Sequence, residues 1–162
     1  MLIRELAVNE DRIISLIAER MRLTLIEVLG EERGAAMYEL DWLLDRVRFH
    51  LDPDRSNGCV FVAEDEMKKI AGHTIVRMES ASEGLFSTTY VAPEYRGRGV
   101  ASALIAAGEE WLLNKGAKLI RTNTHPANTG LIQLFINRSY ALNHINEDFV
   151  SLTRVYQPLA SP

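Results

Sequence analysis

The stretch Tyr90-Val91-Ala92-Pro93-Glu94-Tyr95-Arg96-Gly97-Arg98-Gly99-Val100-Ala101 constrains the fold more than any other part of the chain. A β-type run ends near Val91, and the backbone then turns through two glycines. Val100, Leu104, Ala107, Trp111 and Leu112 follow at helical spacing, in a helix that stops near Gly116. A strand handed this quickly to a helix puts the helix N-terminus beside the strand end. Such an N-terminus offers unpaired N–H groups and the positive end of a dipole. Glycines let a bulky anion approach that backbone closely, and Arg96 and Arg98 add cationic donors. The combination suits a pyrophosphate. It also suits a plain glycine turn with exposed arginines.

Upstream, Ile14, Ile17, Met21, Leu25 and Val28 recur at helical spacing. Asn9 is a candidate N-cap, Glu10 and Asp11 fall in the first turn, and Gly30 is a stop. Met37, Leu40, Leu44, Val47 and Leu51 form a second stripe, ended by Pro53. The pair reads as a helical hairpin packed on a larger body, with Tyr38, Trp42 and Phe49 as candidate groove residues. The period then changes. Residues 59–63, 70–79 and 85–91 are β-rich and joined by short polar turns, which predicts an antiparallel meander. After the glycine turn and its helix come a strand at 118–124, a short helix at 128–138 and a closing hairpin at 141–146 and 149–156. The tail from Gln157 is expected to fray. No repeat or long linker divides the sequence, so residues 1–162 are expected to form one domain.

Composition removes several classes. A net charge of −4 gives no electrostatic footprint for nucleic acid as the main partner. A hydrophobic fraction of 47% with so small a charge argues against disorder. No run approaches the ~18 apolar residues of a membrane span, and the N-terminus lacks a signal-peptide pattern. A cytoplasmic protein is expected. The single cysteine, Cys59, excludes an intrachain disulfide and reads as a small buried residue. No histidine pair has metal-ligand spacing, so no metal site is expected. Among phosphate-binding motifs, a P-loop needs Gly-Lys-Ser/Thr, which is absent. A Rossmann fingerprint needs a third glycine where Ser102 stands. It also needs an acidic residue at the end of the next strand, which here reads Arg121-Thr122-Asn123-Thr124. Arg96, Gly99 and Ala101 match a third pattern, Arg/Gln-x-x-Gly-x-Gly/Ala.

With its Val-x-Pro-x-Tyr-Arg-Gly lead-in, this segment resembles the GCN5-related N-acetyltransferase (GNAT) superfamily. Asn128, Leu131, Leu134, Phe135, Ser139 and Tyr140 extend the resemblance downstream. It covers most of residues 59–156. It implies an α/β (α+β) fold with a mixed, mostly antiparallel sheet of six to seven strands and helices on both faces. It implies an acyl-CoA-dependent N-acyltransferase, with acetyl-CoA as cosubstrate and no metal. Tyr90, Val91, Arg96, Gly97, Arg98, Gly99, Val100, Ala101, Asn128 and Phe135 would then lie against the cofactor, with the Val91 N–H polarising the thioester carbonyl. The acceptor would be a primary amine of a small molecule or peptide, entering beside the first two helices and favoured by acidic residues around the groove. A homodimer is compatible with the resemblance and not required by it. A non-catalytic acyl-CoA sensor is the rival reading.

The family's usual general acid is a tyrosine where this chain has Phe135. Tyr140, nearby, reads as a core aromatic. No carboxylate or histidine occurs in 85–91, so the base must come from elsewhere. The turn at 80–84 sets residues 73 and 91 roughly opposite, which makes His73 a candidate base and Glu79 a second. His125 would sit at the slot mouth. His50 would complement a helix C-terminus as a cation.

Overall fold

The computed structural model describes residues 1–156. The elements run β1 (Leu2–Glu5), α1 (Asp11–Leu29), α2 (Glu31–Met37), α3 (Leu40–Leu51), β2 (Gly58–Glu64), β3 (Ile70–Met78) and β4 (Glu83–Val91). A 3-10 turn at Pro93–Tyr95 leads to α4 (Val100–Asn114), β5 (Leu119–Thr124), α5 (Thr129–Asn137), β6 (Ala141–His144) and β7 (Val150–Val155). The tail from Gln157 lies outside the described residues.

The strands form one sheet in the order β1-β2-β3-β4-β5-β7-β6. Every pairing is antiparallel except β4 with β5. The sheet buries apolar side chains on both faces. Val76, Phe86, Leu104, Leu112, Ile120, Phe135 and Leu152 form one core with α4 and α5. Ile14, Ile17, Leu43, Val47, Val60 and Ile75 form the other with α1 and α3. The expected mixed sheet with a helix layer on each face is present, with seven strands.

One irregularity positions the site. β4 pairs with β5 only from Glu83 to Phe86, opposite Leu119 to Thr122. Thr122 Oγ1 donates to the Phe86 carbonyl at 3.1 Å, at the last paired step. Beyond it the two strands part, and β4 carries a bulge at Ser87, between the pairs Val76–Phe86 and Ile75–Thr88. The parted ends leave a slot in the sheet.

Three local expectations are corrected, and one strand is added. The stripe from Met37 to Leu51 is two helices. Tyr38 takes extended backbone (φ −140, ψ 139) and stacks its ring on Trp42 at 4.3 Å, which breaks the helix between α2 and α3. Glu10, not Asn9, occupies the N-cap of α1, and its carboxylate accepts the Ala7 N–H at 2.7 Å and the Arg4 guanidinium. β1 escaped notice because four residues are too few to display a period. The bulge at Ser87 moves the β3–β4 register by one, so His73 lies opposite Tyr90 and Val91 opposite Gly72.

Candidate functional site

At one end of the slot the site is made of main chain. Gly97 (φ +76) and Gly99 (φ +80) turn the backbone into the start of α4. A Cβ at either glycine would meet no protein atom within 4 Å and would project into open space. No side chain caps α4, and its first backbone bond runs from the Ala103 N–H to the Gly99 carbonyl at 3.1 Å. The N–H groups of Val100, Ala101 and Ser102 are therefore available as donors. A cavity of about 550 Å³ opens over them. It is walled by Thr24, Glu27 and Val28 of α1, Thr89 to Val91 of β4, and 127–131 at the start of α5.

Main-chain polarity on β4 is set by its neighbours. The Ala92 N–H donates to the Ala71 carbonyl at 2.8 Å, towards β3. The Val91 carbonyl accepts Arg96 Nε at 2.9 Å on the opposite side. Alternation along a strand then turns the Val91 N–H to the open slot. Arg96 is thus a strut: besides Val91 it reaches both Glu27 carboxylate oxygens at 3.4 Å. Its guanidinium also lies 5.7 Å from the Tyr90 ring centroid. Arg20 of α1 lies 5.6 Å from the same ring, and His73 stacks on it at 5.8 Å. Tyr90 is fixed from three sides.

A second cavity of about 300 Å³ lies between α1, α2, α3 and the parted ends of β4 and β5. Thr24, Val28, Thr89, Asn128 and Leu131 line both cavities, so the two meet at the bulged end of β4. Tyr38 and Trp42 form an aromatic wall of the second cavity, while Ser87, Thr88, Thr122 and Asn123 give it a polar lining. Asn128 Nδ2 donates to Thr124 Oγ1 at 3.2 Å across the junction. His125 Nδ1 accepts the Ala127 N–H at 3.0 Å, which leaves Nε2 to carry the proton of the neutral ring.

Several expected site residues lie elsewhere. His73 is wholly buried, lines neither cavity, and neither ring nitrogen finds a hydrogen-bond partner among the described residues. Burial, with the Arg20 charge nearby, pushes it down to about 3, so it is a poor base. Glu79 pairs with Arg77 at 2.9 Å beyond the end of β3 and lines neither cavity. Phe135 is 0% exposed, packed edge-on between Phe86 and Tyr140 in the core, and cannot line the slot. Arg98 is exposed, lies 5.8 Å from the Tyr95 ring and does not itself line the cavity. His50 is buried, with Nδ1 donating to the Arg46 carbonyl at 2.7 Å and Nε2 accepting Arg77 Nη1 at 2.9 Å. Burial pushes it down to about 4, so it is neutral and does not complement the helix end as a cation. Phe49 packs under Arg46 and lines neither cavity. The expected acidic rim is absent: Arg33, Arg46 and Arg77 line the second cavity with one carboxylate, Asp148.

Two further expectations hold. Cys59 is buried, its thiol pushed up by burial and by its contact with Glu5. Tyr140 is a core residue whose hydroxyl donates to the buried Glu109 carboxylate at 3.0 Å. That carboxylate also accepts Tyr156 at 2.7 Å and Arg138, tying α4 to the C-terminal strands. The α1 wall was missed. Its signal was Thr24 and Glu27, three apart, which sit beside the end of the apolar stripe at Val28. Among the described residues no three His, Cys, Asp or Glu side chains gather as metal ligands. No helix among them is long and apolar enough to cross a membrane.

Comparison with known proteins agrees with this geometry. A 47-residue stretch is 47% identical to aminoglycoside N(6')-acetyltransferase type 1 of Salmonella typhimurium, covering 29% of this chain and 30% of that protein. The match thus spans about a third of its length. The fold is similar to that of yncA, a proposed acetyltransferase from Salmonella typhimurium solved with its cofactor acetyl-CoA (TM-score 0.75, 14% identity, 100% of this chain and 97% of that one). It is also similar to aminoglycoside 6'-acetyltransferase type Ii (TM-score 0.73, 15% identity, 99% and 100%). The family model described as Acetyltransferase (GNAT) family matches residues 19–138, nearly three quarters of the sequence. The uncapped glycine turn, the parted strands and this match together place the chain in the acetyltransferase (GNAT) family.

Proposed function

We propose that this protein moves an acetyl group from acetyl-CoA to a primary amine of a small molecule or peptide, by direct attack within one ternary complex. The observation that carries the reading is the meeting of two cavities at the bulged end of β4. One presents main-chain donors and the other presents side chains, with Thr89 and Asn128 in the shared wall. The residues fit the cosubstrate. The uncapped N–H groups of Val100, Ala101 and Ser102 suit a diphosphate, and the open space above Gly97 and Gly99 is space that a Cβ would fill. Bound there, acetyl-CoA supplies an activated acyl group.

The chain's own contribution is positional and electrostatic. The slot edge of β4 accepts an extended polar arm as an added strand would be accepted. The Val91 N–H, turned to the slot, donates to the oxygen on which negative charge develops. The wall that the cavities share carries no carboxylate or imidazole: Glu27 lines only the first cavity and is engaged by Arg96, and His125 lines only the second. The amine must therefore arrive neutral. A lysine-type amine of pKa ~10.4 costs about 4 kcal/mol to deprotonate near pH 7.4, whereas an α-amine near 7.8 costs under about 1. The reading thus favours amines of low pKa. Phe135 offers no proton to the departing thiolate, whose low proton affinity (thiol pKa roughly 8.5) makes solvent a sufficient acid.

The test is thiol release from acetyl-CoA across a broad amine panel, with acetyl-CoA affinity measured in parallel. Turnover with at least one amine is expected. Tight binding without turnover on any amine would reject catalysis and leave a sensor.

A further inference from the structure

The acceptor-side cavity is cationic in a chain of net charge −4. Arg33, Arg46 and Arg77 line it, and Asp148, its one carboxylate, is paired with Arg33 at 3.0 Å. Arg77 is also engaged, donating to His50 Nε2 and Glu79 Oε1, both at 2.9 Å. Arg46 differs. Among the described residues its guanidinium has no carboxylate within ion-pair distance and no hydrogen-bond acceptor. It is half-buried, held over the Phe49 ring at 4.4 Å and 5.6 Å from the Trp42 ring. Burial and the neighbouring Arg77 charge lower its proton affinity, so the fold holds this cation against its surroundings.

A guanidinium gripped by its faces keeps its N–H edge available, and that edge is shaped for a planar, two-point anion. Beside it the stacked pair Tyr38–Trp42 offers a flat apolar wall. We infer that the amine acceptor carries an anionic group, a carboxylate or a phosphate, bound by Arg46 while the Tyr38–Trp42 wall packs the rest of the molecule. This rests on the transferase reading and narrows its substrate class. It also separates this chain from acceptors that are polycations, because such a molecule would face Arg46 and Arg77 with only a paired carboxylate between them.

Matched pairs of amines decide the matter on the full chain saturated with CoA. L-Phenylalanine is compared with its methyl ester, and phosphoethanolamine with ethanolamine, by calorimetry, with kanamycin as a polycationic control. At least one anionic member should bind about tenfold more tightly than its neutral partner, and which pair shows the preference tells carboxylate from phosphate. Arg46→Gln should bring that ratio to about one, and Arg46→Lys should restore part of it. Equal affinities within both pairs, or tighter binding of kanamycin, overturns the inference. If Arg46→Gln does not fold, the ratios of the unaltered chain decide. Turnover on the same amines is read separately: an anion preference without acetyl transfer rejects the transferase and keeps the anion site, and transfer without preference does the reverse.

Discussion

The two ends of the slot are built from different material. Towards α4 the start of the helix offers backbone N–H groups, with no side chain at Gly97 and Gly99. Towards α2 and α3 the wall is Tyr38, at the extended junction of the two helices, with Trp42 and Arg46 on α3. The difference teaches how one fold serves many acceptors. A diphosphate is recognised by geometry that every peptide bond supplies, so that end depends on backbone shape. An acceptor is recognised by side chains, so that end changes with each substitution. The α1 residues Thr24 and Val28, which touch both cavities, hold the two ends in register.

That contrast can be broken most forcefully at Gly99. Gly99→Ala forces a side chain into left-handed backbone and projects a Cβ into the cradle. Acetyl-CoA affinity by calorimetry should fall about 100-fold, with amine binding unaltered. An affinity within about threefold of the unaltered chain would move the diphosphate elsewhere. At the other end, Trp42→Ala removes half of the stacked aromatic wall. The acceptor KM should rise about tenfold while the acetyl-CoA Kd stays within about twofold. If both constants move together, the ends are not separable.

The smallest effect on transfer is expected at two buried histidines that line neither cavity. His73 and His50 are folded as neutral rings, at about 3 and about 4, below the ordinary value of about 6.5. The unfolded chain therefore binds more protons below about pH 6.5. Their contribution to stability is present above that pH and is lost as pH falls towards 4 and then 3. Each ring adds a slope on the order of 1.4 kcal/mol per pH unit in that window. His73→Leu should remove one such slope from a urea-unfolding series between pH 6.5 and 4.5, and leave the pH profile of acetyl transfer near neutrality unchanged. A neutral-pH ionisation that vanishes in this variant would restore His73 as the base.

Particular residues mark how far the sequence could be read. The helix after Gly99 and the meander before it were legible, because periodicity and glycine placement are local properties of the backbone. The match of Arg96, Gly99 and Ala101 marked the glycine turn for the same reason, whereas the bond from Arg96 to the Val91 carbonyl could be seen only in the fold. His73 was misread because a one-residue bulge at Ser87 leaves no trace in hydropathy. Phe135 was placed at the cofactor by analogy of position, whereas packing between Phe86 and Tyr140 draws it into the core. The acidic groove expected from net charge failed because a total says nothing about where charges gather.

By itself the sequence determined most of the order of elements, apart from β1 and the break between α2 and α3, and the glycine turn into α4, since each follows from interactions between residues near one another along the chain. Only the tertiary structure decided the second cavity. Trp42 and Arg46 of α3, Arg77 of β3, Thr89 of β4 and Asn128 before α5 come from four separate segments, and their meeting depends on the exact point at which β4 and β5 part. That point is set by long-range strand pairing and one bulge, whose energies are sums over distant contacts that no local pattern records.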